Sequence, residues 1–389
     1  MKDLVVAVAL TTAVQAMVAV AVFAPAVLAP AAQGEIGIAA SSIGIFTTLV
    51  YLAAAFCALF SGGFVARHGP MRVNQHCLLW AGGGAALCAS GVPSMIALGA
   101  LAIGMGHGSV TPASVTILVK RTPDRLRNLI MSVRQSGVPI GGAIAGALVP
   151  PLILAYGWRV AALVVGVLCL SCAVALQPWR RQYDDEREDA RHSGPASHLA
   201  LIRMVFAHAK LRQVALTSFA YAGIQLCLAS YLVVYLTERA GLSLVGAGAV
   251  FSLAMTGGVV GRVVWGAVAD YLGSARIVLG SLGVSMGLCA FAIAQLSPQW
   301  PYAAVIALCV VFGASAIGWS GVFVAEVARV APDGNVALAT GASLTFTYLG
   351  PVVMPFVYWL VVVLTNSYPL AFMLVGAAAL IAGFSYFRK

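Results

Sequence analysis

Charge is scarce in this sequence. Asp, Glu, Lys and Arg make up 9% of its 389 residues, against about a quarter of a soluble globular domain. Acidic side chains are the scarcer kind, 12 against 22 basic ones. So few charges cannot build a solvated surface. A soluble enzyme, a disordered chain and a typical nucleic-acid binder are therefore excluded. The sequence also lacks a phosphate-cradling glycine loop, zinc-ligand spacing and any Ser/His/Asp arrangement. No enzyme activity and no cofactor or metal is expected. A lipid-facing barrel is excluded as well, because its strands would alternate apolar and polar residues.

What is present is apolar. Hydrophobic residues make up 61% of the chain, and runs such as 160–176 are continuous, as in helices whose backbone bonds are satisfied internally in lipid. A span takes about 20 apolar residues, or about 30 with its connection, which allows about twelve. They are predicted at 4–31, 42–64, 75–94, 96–118, 128–155, 158–177, 211–237, 243–268, 275–295, 301–325, 336–363 and 367–387. The expected fold class is an all-α membrane protein with 12 transmembrane helices and the lipid bilayer as its solvent. Ala24, Pro25 and Ala26 resemble a signal cleavage site, but the apolar run around them is too long for one, so the first span is expected to be retained.

The eight cysteines all lie in largely apolar stretches. Cys169 and Cys172 have CxxC spacing, without the polar setting that a redox or metal pair needs. All eight read as small packing residues. Of the 22 Lys and Arg, Arg159 and Arg239 fall in loops on one side, and Arg134 and Arg262 fall within spans. The other eighteen share the side of both termini. That pattern predicts a multi-pass protein of the inner (cytoplasmic) membrane with both ends cytoplasmic.

The one long polar stretch, at about 178–207, carries mixed charge without apolar periodicity and reads as a solvated linker. It divides the chain into a six-helix bundle at 1–177, a cytoplasmic linker at 178–210 and a second bundle at 211–389. Residues 199–212 read as a possible amphipathic helix on the membrane surface. The halves repeat. An offset of 204 maps Gly62 onto Gly266, Gly69 onto Gly273, Arg72 onto Arg276, Gly137 onto Gly341 and Pro151 onto Pro355. Duplicated six-helix halves are a secondary-transporter architecture.

After the second span the chain reads Gly62-Gly-Phe-Val-Ala66-Arg-His-Gly69-Pro-Met-Arg72. After the eighth it reads Gly266-Ala-Val-Ala-Asp270-Tyr-Leu-Gly273-Ser-Ala-Arg276. Both resemble the loop signature of the major facilitator superfamily, and the resemblance extends over the whole chain. The first glycine would let two helices approach, the Asp would accept bonds near a helix end, and the second glycine would permit a tight turn. The first copy departs from the pattern, with Ala66 in the acidic position. The resemblance implies two pseudo-symmetric six-helix bundles that alternate access to a central site, with these loops as gating elements. The fifth span, with Gly137, Pro139, Gly141, Gly142, Gly146, Pro150 and Pro151, looks like the Gly- and Pro-rich fifth helix of the superfamily. It does not match the drug-antiporter form. Plain helix packing would explain it too.

An ionisable side chain inside a span costs about 2.5–3.5 kcal/mol and needs a reason. Arg262 stands eight residues before Asp270, and Arg134 seven beyond Arg127. Either they snorkel or pair with Asp270 or Glu326, or they face a cavity and grip a carboxylate, for which the planar guanidinium is suited. The segment Gly261-Arg262-Val-Val-Trp265-Gly266 is similar to the eighth helix of monocarboxylate and oxalate carriers of the superfamily. That similarity implies a substrate-binding role for Arg262. Those monocarboxylate carriers often have Asp where this chain has Gly258. No Asp or Glu falls in the middle of a span, which disfavours a cationic drug as substrate. His107, between Gly106 and Gly108, is either a packed histidine or a site for a coupling proton. Gln15, Gln225, Tyr221, Trp319 and Tyr348 lie on spans that line the cavity in the superfamily, where each would bind substrate or simply pack.

The expected function is secondary active transport of a small organic anion, a carboxylate, by proton symport in a monomer. The rival readings are an efflux antiporter for drugs or metabolites and a non-transporting membrane sensor.

Overall fold

The structure is a computed structural model that describes residues 2–123, 126–184, 203, 205–331 and 336–387. Every regular element among them is helical. Ten helical segments among the described residues are long and apolar enough to cross a membrane. The other two predicted spans are also helices. Pro70–Cys88 opens on the polar residues Arg72, Asn74, Gln75 and His76, which lowers its hydropathy, and Tyr368–Phe384 is 17 residues long. The chain divides into two compact units, Met1–Ser193 and Gly194–Lys389.

In the first unit, α1 (Lys2–Ile36) continues through Pro25 and Pro30. A turn at Gly37 leads to α2 (Ile43–His68), and Gly69, at φ +90°, reverses the chain into α3 (Pro70–Cys88). The turn before α4 (Pro93–Val119) falls at 89–92, earlier than the predicted boundary at 94–96. Pro93 is the cause: it cannot extend the preceding helix but suits a first turn. The span expected at 128–155 is two helices, α5 (Arg127–Gln135) and α6 (Gly137–Tyr156), and α7 (Trp158–Ala175) follows. Helix α2 lies along α4, α3 along α4 and α7, and α1 along α6. A Cβ at Gly104 or Gly108 would collide with the carbonyl oxygens of Val50 or Ala54, so small residues one turn apart set the close α2–α4 contact.

In the second unit the helices are α9 (Ala209–Glu238), α10 (Leu244–Leu272), α11 (Ala275–Ala294), α12 (Tyr302–Gly318), α13 (Ser320–Val330), α14 (Val336–Thr365) and α15 (Tyr368–Phe384). The span expected at 301–325 is therefore also two helices, broken at Trp319. The pairings repeat those of the first unit: α10 along α12, α11 along α12 and α15, α9 along α14. Hydroxyls of Ser243, Ser274 and Ser367 accept the backbone N–H of Gly246, Ile277 and Leu370 and cap the starts of α10, α11 and α15. Tyr221 and Tyr235 donate from α9 to the carbonyls of Leu279 and Ile293 on α11, at 2.7 and 2.9 Å.

The linker expectation needs correction at its start. A short helix, α8 (Arg180–Asp184), folds back on the first unit with Tyr183 and Asp184 buried. Asp184 accepts from the backbone N–H of Met71 at 2.8 Å and of Arg72 at 3.3 Å. It thereby caps α3, whose first N–H groups have no partner within the helix. Asp3 holds the same segment, accepting from Gln182, Tyr183 and Arg121. Residues 185–202, and with them the start of the expected surface helix at 199–212, lie outside the described residues. Within that stretch 203 and 205–207 are helical, and 209–212 already belong to α9.

Candidate functional site

In the first unit the predicted residues Arg134 and Gln15 meet. Arg134, at the end of α5, is 2% exposed. Its guanidinium Nη2 donates to Gln15 Oε1 on α1 at 2.5 Å and to Thr111 Oγ1 on α4 at 3.1 Å. Its Nη1 donates to Gln135 Oε1 at 3.0 Å. Gly137 makes this arrangement possible. A Cβ there would stand 2.8 Å from the Thr12 carbonyl oxygen and 2.9 Å from Gln15 Cβ. The bare backbone lets α6 press on α1 at the residue that meets Arg134. Gly141 does the same one turn on, where a Cβ would meet the Ala16 carbonyl oxygen and Ala19 Cβ on α1.

His107 lies one turn before Thr111 on α4. Its ring meets Tyr51 edge-on, 5.4 Å between centroids. Its Nδ1 is buried and has no hydrogen-bond partner among the described residues. Thr111 and Tyr51 were missed by sequence reasoning. The available signal was spacing, since residues 107 and 111 share a helix face. An apolar hollow of about 240 Å³ lies elsewhere in this unit, lined by Leu28, Phe46, Pro93 and Trp158 among others, with no charged side chain.

In the second unit Arg262 stands ten residues before the end of α10, about 15 Å along the axis. Its Nε donates to the Ile317 carbonyl at 3.3 Å. Trp265, three residues on, donates from Nε1 to the Ala314 carbonyl at 2.9 Å. The last four carbonyls of a helix have no partner within it, and Ile317 is among those of α12. The break at Trp319 thus frees the oxygen that Arg262 holds. Gly261 permits the approach, since a Cβ there would stand 2.9 Å from Ala314 Cα. Arg262 makes no ion pair among the described residues. Glu326, its candidate partner, pairs instead with Arg329 at 2.6 Å.

Trp319 donates from Nε1 to Gln225 Oε1 at 3.1 Å, joining two predicted residues. Tyr221 meets the Trp319 ring edge-on at 5.7 Å. Its hydroxyl is committed to Leu279 and its ring is fully buried, so it supports Trp319 from behind and presents no surface of its own. Tyr348 is 41% exposed on α14.

The loop-motif residues divide. Gly69 and Gly273 hold positive φ, +90° and +60°, as a tight turn requires. Among the described residues, Gly62 and Gly266 have no atom within 4 Å of a Cβ position, so neither makes the close helix contact expected of it there. Arg72 donates to Gln75 Oε1 at 3.4 Å and Arg276 to the Tyr386 carbonyl at 2.8 Å. Asp270 is exposed and accepts no side-chain bond among the described residues. In the first copy, where Ala66 replaces the acid, the carboxylate near the turn is that of Asp184. Nothing local in the sequence points to it. The eight cysteines are free thiols, and no group of three or more metal-ligating side chains occurs among the described residues.

The profile of the Major Facilitator Superfamily matches residues 9–355. Over 379 residues the chain is 24% identical to the hexuronate transporter of Bacillus subtilis, covering 93% of this chain and 89% of that one. It is 33% identical to the 4-hydroxybenzoate transporter of Pseudomonas putida across 154 residues, which spans about a third of that relative (34%) and 39% of this chain. A solved bacterial homologue of the human lysosomal transporter Spinster superposes with a TM-score of 0.78 at 15% identity, covering 99% of this chain and 96% of that chain. The last likeness concerns the fold alone.

Proposed function

The chain belongs to the Major Facilitator Superfamily, and from that premise we propose that it is a secondary transporter of a small organic anion, a carboxylate. The family and the relatives are transporters rather than enzymes, and the chain carries multiple membrane-spanning helices. One observation carries the substrate class. The guanidinium of Arg262 is deep within a span, tethered by Nε to a backbone carbonyl and without an ion pair among the described residues. A cation so placed is costly in lipid unless an anion offsets it. Both hexuronate and 4-hydroxybenzoate, the substrates named for two relatives, are carboxylates.

In this reading Arg262 is the main anchor, because Nε holds the protein while the two Nη groups remain to grip a carboxylate side by side. Arg134, with Gln15, is a second anionic contact. Trp319 and Gln225 offer an apolar ring and an amide for the rest of the substrate, with Tyr221 behind them. Tyr348, the exposed member of the expected set, is assigned a peripheral contact. His107, whose buried ring nitrogen has no hydrogen-bond partner among the described residues, is the candidate for the coupling proton. The loops at Gly62, Gly69, Arg72 and at Gly266, Asp270, Gly273, Arg276 are the candidate gating elements of alternating access. The protein acts as a monomer in the inner membrane with both termini cytoplasmic, which the basic loops support.

The test is ligand-induced stabilisation of the purified protein, since a ligand that binds the folded state raises its unfolding temperature. Benzoate and glucuronate are expected to stabilise the wild type and to lose that effect in Arg262→Ala and Arg262→Gln. Stabilisation by cationic drugs alone, indifferent to those substitutions, would sink the anion reading. Proteoliposome uptake with and without an imposed pH gradient then tests coupling. Dependence on the gradient that disappears in His107→Asn supports the proton role, and unchanged dependence removes it.

A further inference from the structure

The contact between Arg134 and Gln15 has a chemical form that bears on selectivity, given the anion reading above. The guanidinium Nη2 is satisfied by the amide oxygen of Gln15 at 2.5 Å. Thr111 and Gln135 supply two further uncharged oxygens at 3.1 and 3.0 Å. An amide oxygen and a carboxylate oxygen are both planar sp² acceptors of similar reach. They differ in charge: the guanidinium makes either bond charge-assisted, and only a carboxylate adds the attraction of opposite unit charges, which is strengthened by burial. Gln15 is itself buried, and Gly137 backs its Cβ and Cγ, which directs the amide at Arg134. The side chain is thus the right shape and in the right place to be outcompeted by an anion, and by little else.

We propose that Gln15 is a specificity-determining residue whose amide oxygen stands on Arg134 where a substrate carboxylate oxygen will stand, and yields that place when the anion binds. A neutral analogue would have to displace the amide for a bond no stronger than the one it breaks. A carboxylate gains from the exchange. Built into the chain at this position, a carboxylate would never leave, so the pair would be closed to external anions.

Three variants of the full-length protein test this by thermal unfolding, with benzoate as the probe anion. Gln15→Glu is expected to raise the unfolding temperature without ligand, and the gain is expected to vanish in Gln15→Glu/Arg134→Gln. The same Gln15→Glu variant is expected to need at least about tenfold more benzoate for a given stabilisation, because the built-in carboxylate adds an attraction between opposite charges that the amide lacks. Gln15→Ala, which removes the competitor, is expected to need less benzoate than wild type. Equal weakening by Gln15→Ala and Gln15→Glu would overturn the proposal, because Gln15 would then be contacting the ligand or holding the fold. Wild-type benzoate response in Gln15→Glu would overturn it too. A wild type that ignores benzoate counts against the anion reading. The unfolding comparison then decides alone, and no Arg134-dependent gain in Gln15→Glu rejects the exchange.

Discussion

Arg262 holds the carbonyl oxygen of Ile317 through Nε at 3.3 Å, two residues before the break at Trp319. The bond ties Arg262 to a helix end rather than to an acid. Lysine in its place would be a point charge with no planar fork. Its three N–H donors could serve both the carbonyl and the substrate, but not with the side-by-side grip of a guanidinium on a carboxylate. Arg262→Lys is expected to lower carboxylate uptake in proteoliposomes at least about tenfold, the worth of about 1.4 kcal/mol, with normal expression and an unfolding temperature close to wild type. Uptake near wild type would show that charge alone suffices at this position.

Gly137 and Gly341 are related by the internal repeat, but their surroundings differ. A Cβ at Gly137 would press on Thr12 and Gln15, whereas at Gly341 it would meet nothing within 4 Å among the described residues. Gly137→Ala is therefore expected to destabilise by about 1–3 kcal/mol through overpacking. Gly341→Ala is expected to stabilise by about 0.5–1 kcal/mol through helix propensity. Denaturation midpoints of the two variants give the comparison.

Asp184 is 3% exposed and caps α3 from 113 residues away. Asp184→Ala is expected to cost about 0.5–2 kcal/mol, as for the loss of other N-terminal caps. Asp184→Asn keeps an acceptor and is expected to cost less. Limited proteolysis near 177–184 should speed up in the alanine variant if the segment detaches. Unchanged cleavage and stability would mean that the contacts of Asp3 hold the segment without it.

Trp319 shares its indole N–H with Gln225 at 3.1 Å. Trp319→Phe keeps the ring and removes the donor, leaving a half-buried amide oxygen without it, at a cost of up to about 1–3 kcal/mol. Lower substrate affinity than in Gln225→Leu/Trp319→Phe, where neither partner is left orphaned, is the expected sign that the pair acts as a unit.

Much of the fold was legible because the signals for it are local. The positions of the spans, the repeat of Gly69 in Gly273, and the depth of Arg134 and Arg262 follow from hydropathy, turn chemistry and counting. The breaks at Ser136 and Trp319 were less legible, since an apolar run does not reveal where its helix is interrupted. Arg134 and Gln15 in the first unit, and Trp319 and Gln225 in the second, were each recognised as polar groups in apolar surroundings, but their pairing was not. Thr111 was missed because a threonine in a membrane helix ordinarily bonds its own backbone and carries no distinctive signal.

By itself the sequence determined that lipid is the solvent, that the chain is a duplicated set of long helices, and that two arginines lie inside it. Lipid imposes these rules on each helix separately, because every span must satisfy its own backbone within itself. Tertiary structure decided which side chains meet. Arg134 finds Gln15 across 119 residues, and Asp184 finds Met71 across 113. The rotation of each helix about its axis, set by where glycine lets backbones touch, determines those pairs, and no local stretch of sequence carries that information.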